Sequence, residues 1–183
     1  MHDTPARLLF EDMWKKLVYT RIRQIFKNFA HSISNITGQT IVVDIFEGVG
    51  INDNFSIFCD YISKDNSLKL FFEITLDEKQ KISLFIFDFN IPVEFRGHGI
   101  GSRIICELLG ISSRLKFSRV ILNPANKRAA NFWAKFGFNA QSGTRLMTLD
   151  PVRRELTSQC LLLLISAFRK NTGTGYIQAA QSC

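Results

Sequence analysis

The chain is poor in the residues that build metal sites and disulfide scaffolds. Its four cysteines, Cys59, Cys106, Cys160 and Cys183, are scattered and show no CxxC spacing. This argues against a metal such as zinc and for reduced thiols in a cytoplasmic protein. Long apolar runs are lacking too. The stretch from Cys160 to Ile165, even extended to Phe168, is too short to span a bilayer, so no membrane role is expected. Met1-His2-Asp3-Thr4-Pro5 has neither the basic region nor the small-residue cleavage site of a signal peptide. Internal repeats and low-complexity blocks are absent. The lysine and Ser/Thr pattern of a P-loop is missing, and no βαβ unit opens the chain, which disfavours a Rossmann site. Tyrosine is scarce: Tyr19, Tyr61 and Tyr176 are the complete set.

What is present suits one compact domain. The 183 residues are 46% hydrophobic and include 17 phenylalanines, enough for a core built on aromatic packing. The net charge of +7 is unevenly spread. Residues 1–36 hold 6 basic and 3 acidic side chains, residues 37–95 hold 4 and 10, and residues 96–183 hold 13 and 3. A basic half suits a polyanionic ligand such as a nucleotide cofactor or RNA, and an acidic half suits a cationic substrate. Uneven surface charge without function is an equal alternative.

Thr4-Pro5 reads as a helix start. Apolar residues from Phe10 to Ile33 recur at helical spacing, which predicts one long or broken helix. Strands are expected over Thr40–Phe46, Phe55–Tyr61, Leu68–Leu76 and Ile82–Asn90. The turns between them, at 52–54, 64–67 and 77–79, are short, so the four form an antiparallel meander. A helix follows from Gly99 to about Leu115, then a strand over Ser118–Leu122. Next comes a helix capped by Asn126 and running to about Phe136, with Gly137 as its left-handed terminus. Arg145–Leu149 is another strand. Asp150-Pro151 is placed to open a last helix through about Phe168, and the tail from Asn171 is expected to be loose.

The segment Arg96-Gly97-His98-Gly99-Ile100-Gly101 joins a strand to a helix. A glycine-rich turn at a helix N-terminus gathers backbone N–H groups into one concavity, and the helix dipole adds partial positive charge. Arg96 contributes a fixed charge, and His98 and Ser102 are further hydrogen-bond donors. Physically this is a pyrophosphate cradle. A tight turn that only lets helix and strand pack is the competing account of the glycines taken alone.

A second segment follows one strand later: Asn126, Ala129, Phe132, Trp133, Gly137 and Phe138. In order and spacing the two segments resemble the GNAT N-acetyltransferases. That family has an Arg/Gln-x-x-Gly-x-Gly/Ala loop, then a strand, then an Asn-x-x-Ala-x-x-aromatic-aromatic helix ending in Gly-Phe. The resemblance implies an α/β (α+β) fold. Its mixed, mostly antiparallel sheet would have a V-shaped split between two parallel central strands and flanking helices. The resemblance covers about residues 82–140, which would be the acetyl-CoA-binding core; the whole chain is expected to be a single domain over residues 1–170, with a helical segment at 1–36 and a flexible tail at 171–183. Acetyl-CoA, the co-substrate, would lie in the split against Ile91, Arg96, Gly97, His98, Gly99, Ile100, Gly101, Ser102, Asn126, Phe132 and Trp133. Core packing is the competing account of Phe132, Trp133 and Phe136.

The family's usual general acid is a tyrosine on the second helix, and Trp133 stands at that position. An indole N–H is not a practical acid, so the thiolate leaves unprotonated or takes a proton from Ser102 or water. Asp88 and Glu73 are the candidate bases, with partial burial expected to favour Asp88; Glu47 and Asp60 are weaker. The expected activity is acetyl transfer to a primary amine on a cationic small molecule, protein or peptide. Two alternatives stand: a silent acyl-CoA sensor, and a nucleic-acid-binding protein or an enzyme acting on a tRNA-linked amine. The apolar segment 160–168 allows for a homodimer.

Overall fold

The computed structural model describes residues 5–50, 55–76 and 81–151; for residues 5–18 and 76 only the backbone is described. The expected turns at 52–54 and 77–79, the helix after Asp150-Pro151 and the tail lie outside the described residues.

The first element is one unbroken helix, α1 (Pro5–Thr37). Ile22, Phe26, Phe29, Ala30 and Ile33 recur at helical spacing and are buried. Phe26 packs on Phe72, and Phe29 meets the Tyr61 ring edge-on. The buried Tyr61 hydroxyl donates to the Phe26 carbonyl at 2.9 Å, so its polar end is satisfied inside the core. Gly38, with φ of 71°, ends the helix and donates its N–H to the Ser34 carbonyl.

Four antiparallel strands follow: β1 (Ile41–Val49), β2 (Phe55–Ser63), β3 (Lys69–Leu76) and β4 (Ile82–Asn90). The first is three residues longer at its C-terminal end than its sequence pattern predicts. On β2 to β4 the alternating residues Ile57, Cys59, Tyr61, Leu70, Phe72, Ile74, Leu84 and Ile86 are buried. The remaining elements are α2 (Ile100–Arg114), β5 (Arg119–Leu122), α3 (Lys127–Ala134), β6 (Asn139–Ala140) and β7 (Met147–Leu149). The two-residue β6 has no sequence counterpart, because its exposed Asn139 and Ala140 show no apolar alternation. The sheet order is β1-β2-β3-β4-β5-β7-β6. One pair, β4 with β5, is parallel, and every other pair is antiparallel. Helix α2 makes the crossover between those two strands, and Ile104, Ile105, Leu108 and Leu109 bury its inner face. The architecture is the expected mixed, mostly antiparallel α/β sheet with one central parallel pair and flanking helices.

Two details position the site. The β4–β5 pairing runs only from Ser83–Arg119 to Ile86–Leu122. Strand β4 continues to Asn90, so its last four residues have no described strand on that side. The β3–β4 register also shifts here: Phe71 faces Asp88 while Phe72 faces Ile86. Phe87 is the extra residue of this bulge, which turns the strand where β5 leaves it.

Cysteine chemistry departs in part from the expectation of reduced thiols throughout. Cys59 is a free thiol whose burial pushes its pKa well above the ordinary value. Cys106, by contrast, is disulfide-bonded.

Candidate active site

The loop after β4 begins at Pro92, passes through a 3-10 turn at Val93–Phe95 and enters α2 at Ile100. Gly97 and Gly99 have φ of 82° and 76°, the left-handed region that strains any residue with a Cβ. The Arg103 N–H makes the first helical bond, to the Gly99 carbonyl. The N–H groups of Ile100, Gly101 and Ser102 are thus the open N-terminal end of α2. Arg96 folds back on β4: its Nε donates to the Ile91 carbonyl at 2.9 Å and its Nη2 to Asn90 Oδ1 at 3.3 Å. It therefore clasps the loop to the strand end while carrying its charge.

Helix α3 forms the facing wall. Asn126 caps it by accepting the Ala129 N–H at 2.9 Å, which leaves its amide nitrogen for a ligand. Trp133 is only 6% exposed and sits amid Phe89, Phe132, Phe136 and Phe138 at ring-centroid distances of 5.2–6.4 Å. Gly137, with φ of 87°, turns the chain so that Phe138 closes this cluster. Core packing thus accounts for Trp133 and Phe136. Phe132 remains partly exposed.

Between the loop and α3 lies a cleft of about 710 Å³. Its lining includes Ile91, Arg96, Gly97, Gly99, Gly101, Ser102, Asn126, Phe132 and Trp133. The structure therefore brings together nine residues of the anticipated cofactor set. His98 and Ile100 lie on the same loop but do not line the cleft. Two cations that the motifs did not flag, Arg128 and Lys135, line it as well, along with Asn131, Phe89 and Phe95. Positions 128, 132 and 135 repeat at helical spacing, a signal that could have revealed this face of α3. Three cations, an open helix N-terminus and no lining carboxylate fit a ligand carrying several phosphate charges.

The candidate catalytic residues separate. Glu73 is 1% exposed, and Ser56 and Thr75 hydroxyls donate to its Oε1 at 2.6 and 3.0 Å. The Gly50 backbone lies directly over it, leaving no space for even a Cβ. Asp88 is on the stretch of β4 beyond the last β5 pair. Its side chain is 47% exposed, more open than expected, and meets Lys69 Nζ at 3.8 Å. Ser102 stands in the first turn of α2 beside the loop. Asp60, across β3 from Asp88, has its pKa raised by burial; Lys69 lowers it, and Asp44 and Asp88 raise it further. Among the described residues no group of His, Cys, Asp and Glu is placed to hold a metal ion.

A sheet whose two central parallel strands part, with a basic glycine loop at the opening, defines a class of site: one that takes a phosphate-bearing ligand. Residues 56–138 match the acetyltransferase (GNAT) family, a span that begins at β2, well before the motifs. The match makes this segment, somewhat under half of the chain, a GNAT acetyltransferase domain. No curated protein matched the chain. Among solved structures, Arabidopsis thaliana Naa50 in complex with the bisubstrate analogue CoA-Ac-MVNAL is 19% identical, covering 52% of this chain and 72% of that one, with a TM-score of 0.41. AtaTR bound with AcCoA is 10% identical over 70% of this chain and 99% of that one, with a TM-score of 0.41. The NatC complex bound to Gag peptide and CoA is 13% identical over 52% and 70%, also at 0.41. No helix among the described residues is long and apolar enough to cross a membrane.

Proposed function

We propose that the protein transfers an acetyl group from acetyl-CoA to a primary amine on a cationic acceptor. One observation carries the reading: β4 runs on for four residues without a β5 partner, and the last two of them, Phe89 and Asn90, line a cleft that has three cations and no carboxylate in its lining. The N–H groups at the start of α2, with Arg96, Arg128 and Lys135, suit the pyrophosphate and 3′-phosphate. The backbone of Phe87–Ile91 is available to pair with the pantetheine amides, as an added strand would. Asn126 and Phe132 border the same path.

The protein's own groups then have limited work. Holding amine and thioester in line supplies much of the rate. A backbone N–H of the free β4 stretch is placed to stabilise the oxyanion. The amine nitrogen attacks the carbonyl, the C–S bond breaks, and the amine proton passes to Asp88 directly or through water. Trp133 is sealed in its aromatic cluster and is no acid. The thiolate leaves as such, since a thiol pKa of about 8.5 is close to neutrality. Ser102, in the helix start, serves the phosphates better than the thiolate. Glu73 is a structural carboxylate by its surroundings.

A thiol-release assay with acetyl-CoA and a panel of peptides, polyamines and aminoglycosides tests this. Turnover is expected with cationic amines, and Asp88→Asn should lower kcat by about 100-fold or more with little change in acetyl-CoA KM. Acetyl-CoA binding with no turnover of any amine would instead make the protein an acyl-CoA sensor.

A further inference from the structure

The sheet has an outer face that the cleft does not use. Five phenylalanines form a continuous ladder on it. Phe46 stacks on Phe58 at 5.2 Å, Phe58 on Phe71 at 6.2 Å, and Phe71 on Phe87 at 5.3 Å; Phe85 meets Phe87 at 4.7 Å. The ladder crosses four strands, and its ends are open: Phe46 is 42% exposed and Phe87 41%. Large aromatic side chains left in water at both ends of a ladder, with half-buried rings between them, mark a contact surface.

A row of aspartates runs beside it. Register places Asp44 directly opposite Asp60, Asp60 opposite Phe71, and Phe71 opposite Asp88. Like charges facing across strands destabilise a sheet. Lys69 answers Asp88, but among the described residues Asp44 and Asp60 make no ion pair, and Asp60 Oδ1 is buried without a hydrogen bond. An apolar ladder flanked by three carboxylates with one lysine among them is complementary to one kind of partner. Apolar side chains would cover the rings, and ammonium groups would meet the carboxylates and ring faces. Three interstrand steps of about 4.8 Å make a ladder of about 14 Å, the length of roughly ten helical residues.

We infer that this face docks a lysine-bearing amphipathic polypeptide segment, and that such a segment is the acetyl acceptor. The second half rests on the function proposed above. The chain links the two: Phe87 and Asp88 end the face immediately before Phe89 and Asn90, which line the cleft. A lysine of the docked segment reaching Asp88 is one residue along β4 from the cleft lining.

The test uses the full chain and an 18-residue leucine/lysine helix peptide, blocked at its N-terminus and labelled with fluorescein, beside its leucine/glutamate counterpart. Fluorescence anisotropy should show the lysine peptide bound at least about tenfold more tightly than the glutamate peptide. Phe46→Ser and Asp44→Lys, both at exposed positions of the edge strand, should each weaken it about fivefold or more, while acetyl-CoA affinity stays unchanged. Equal binding of the two peptides, or variants that bind like the wild type, would overturn the docking face. So would sedimentation showing a dimer that Phe46→Ser and Asp44→Lys dissolve, which would assign the face to a second copy. Mass spectrometry of the peptide lysines separates the two claims. Docking without acetylation would sink the acceptor assignment and keep the surface. Acetylation indifferent to both substitutions would sink the surface and keep the transfer reaction.

Discussion

The cleft and the outer face share one strand, β4, yet they are built in opposite ways. The cleft is basic, and its parts come from a continuous stretch of chain, 89–102, and one helix, 126–135. The outer face is acidic and aromatic, and each of its rows takes one or two residues from each of four strands. Local stretches carry motifs that can be recognised by spacing. A surface assembled across strands exists only through register. The difference teaches that the charge asymmetry of the sequence is spatial as well as statistical: the basic half supplies the cleft, and part of the acidic half supplies the opposite face of the sheet.

Substitutions can break this contrast, beginning with the largest effect. Trp133→Ala empties the aromatic cluster under the cleft and should cost about 3–5 kcal/mol in urea unfolding. A loss under about 1 kcal/mol would mean Trp133 is not the core residue its burial indicates. Gly99→Val forces a β-branched residue into φ of 76° and should cost about 1–3 kcal/mol, read as acetyl-CoA binding roughly ten- to a hundredfold weaker. Binding of the lysine peptide should not move; if it did, the two regions would not be independent. Asn126→Ala removes the α3 cap and should lower stability by about 1 kcal/mol, with a raised acetyl-CoA KM. Unchanged stability would show that the cap contributes nothing.

The smallest expected effect concerns Asp60. Its folded pKa lies above the ordinary carboxylate value, mainly because burial disfavours the charge. The folded state therefore holds this proton more tightly than the unfolded chain does. Stability from this group is fully present below the unfolded value and is lost as pH rises through the folded one. Asp60→Asn should accordingly be neutral to stabilising at about pH 7, with the difference shrinking as the pH is lowered into the carboxylate range. Denaturant midpoints measured across that range check it, and destabilisation at neutral pH would reverse the sign.

Sequence reading went far for the cleft and stopped short of the face. Arg96, Gly99 and Gly101 on one side and Asn126, Phe132 and Trp133 on the other lie where their spacing put them, because helix starts and caps are decided by neighbours within a turn. Arg128 and Lys135 escaped notice because charged residues on a short helix look like ordinary solvated ones. Glu73 and Asp88 were both candidate carboxylates among phenylalanines, with Asp88 expected to be the partly buried one; the structure buries Glu73 instead. Packing separates them: Glu73 is covered by Ser56, Thr75 and Gly50, and Asp88 stays half open against Lys69.

By itself, then, the sequence determined the described elements apart from β6, the glycine loop and the family they resemble, since periodicity and turn chemistry act over a few residues. Tertiary structure alone decided where β5 leaves β4, that Phe87 bulges at that point, and that Asp44, Asp60 and Asp88 fall in one row beside a phenylalanine ladder. Those facts depend on strand register, and a shift of one residue would turn every side chain on a strand to the other face.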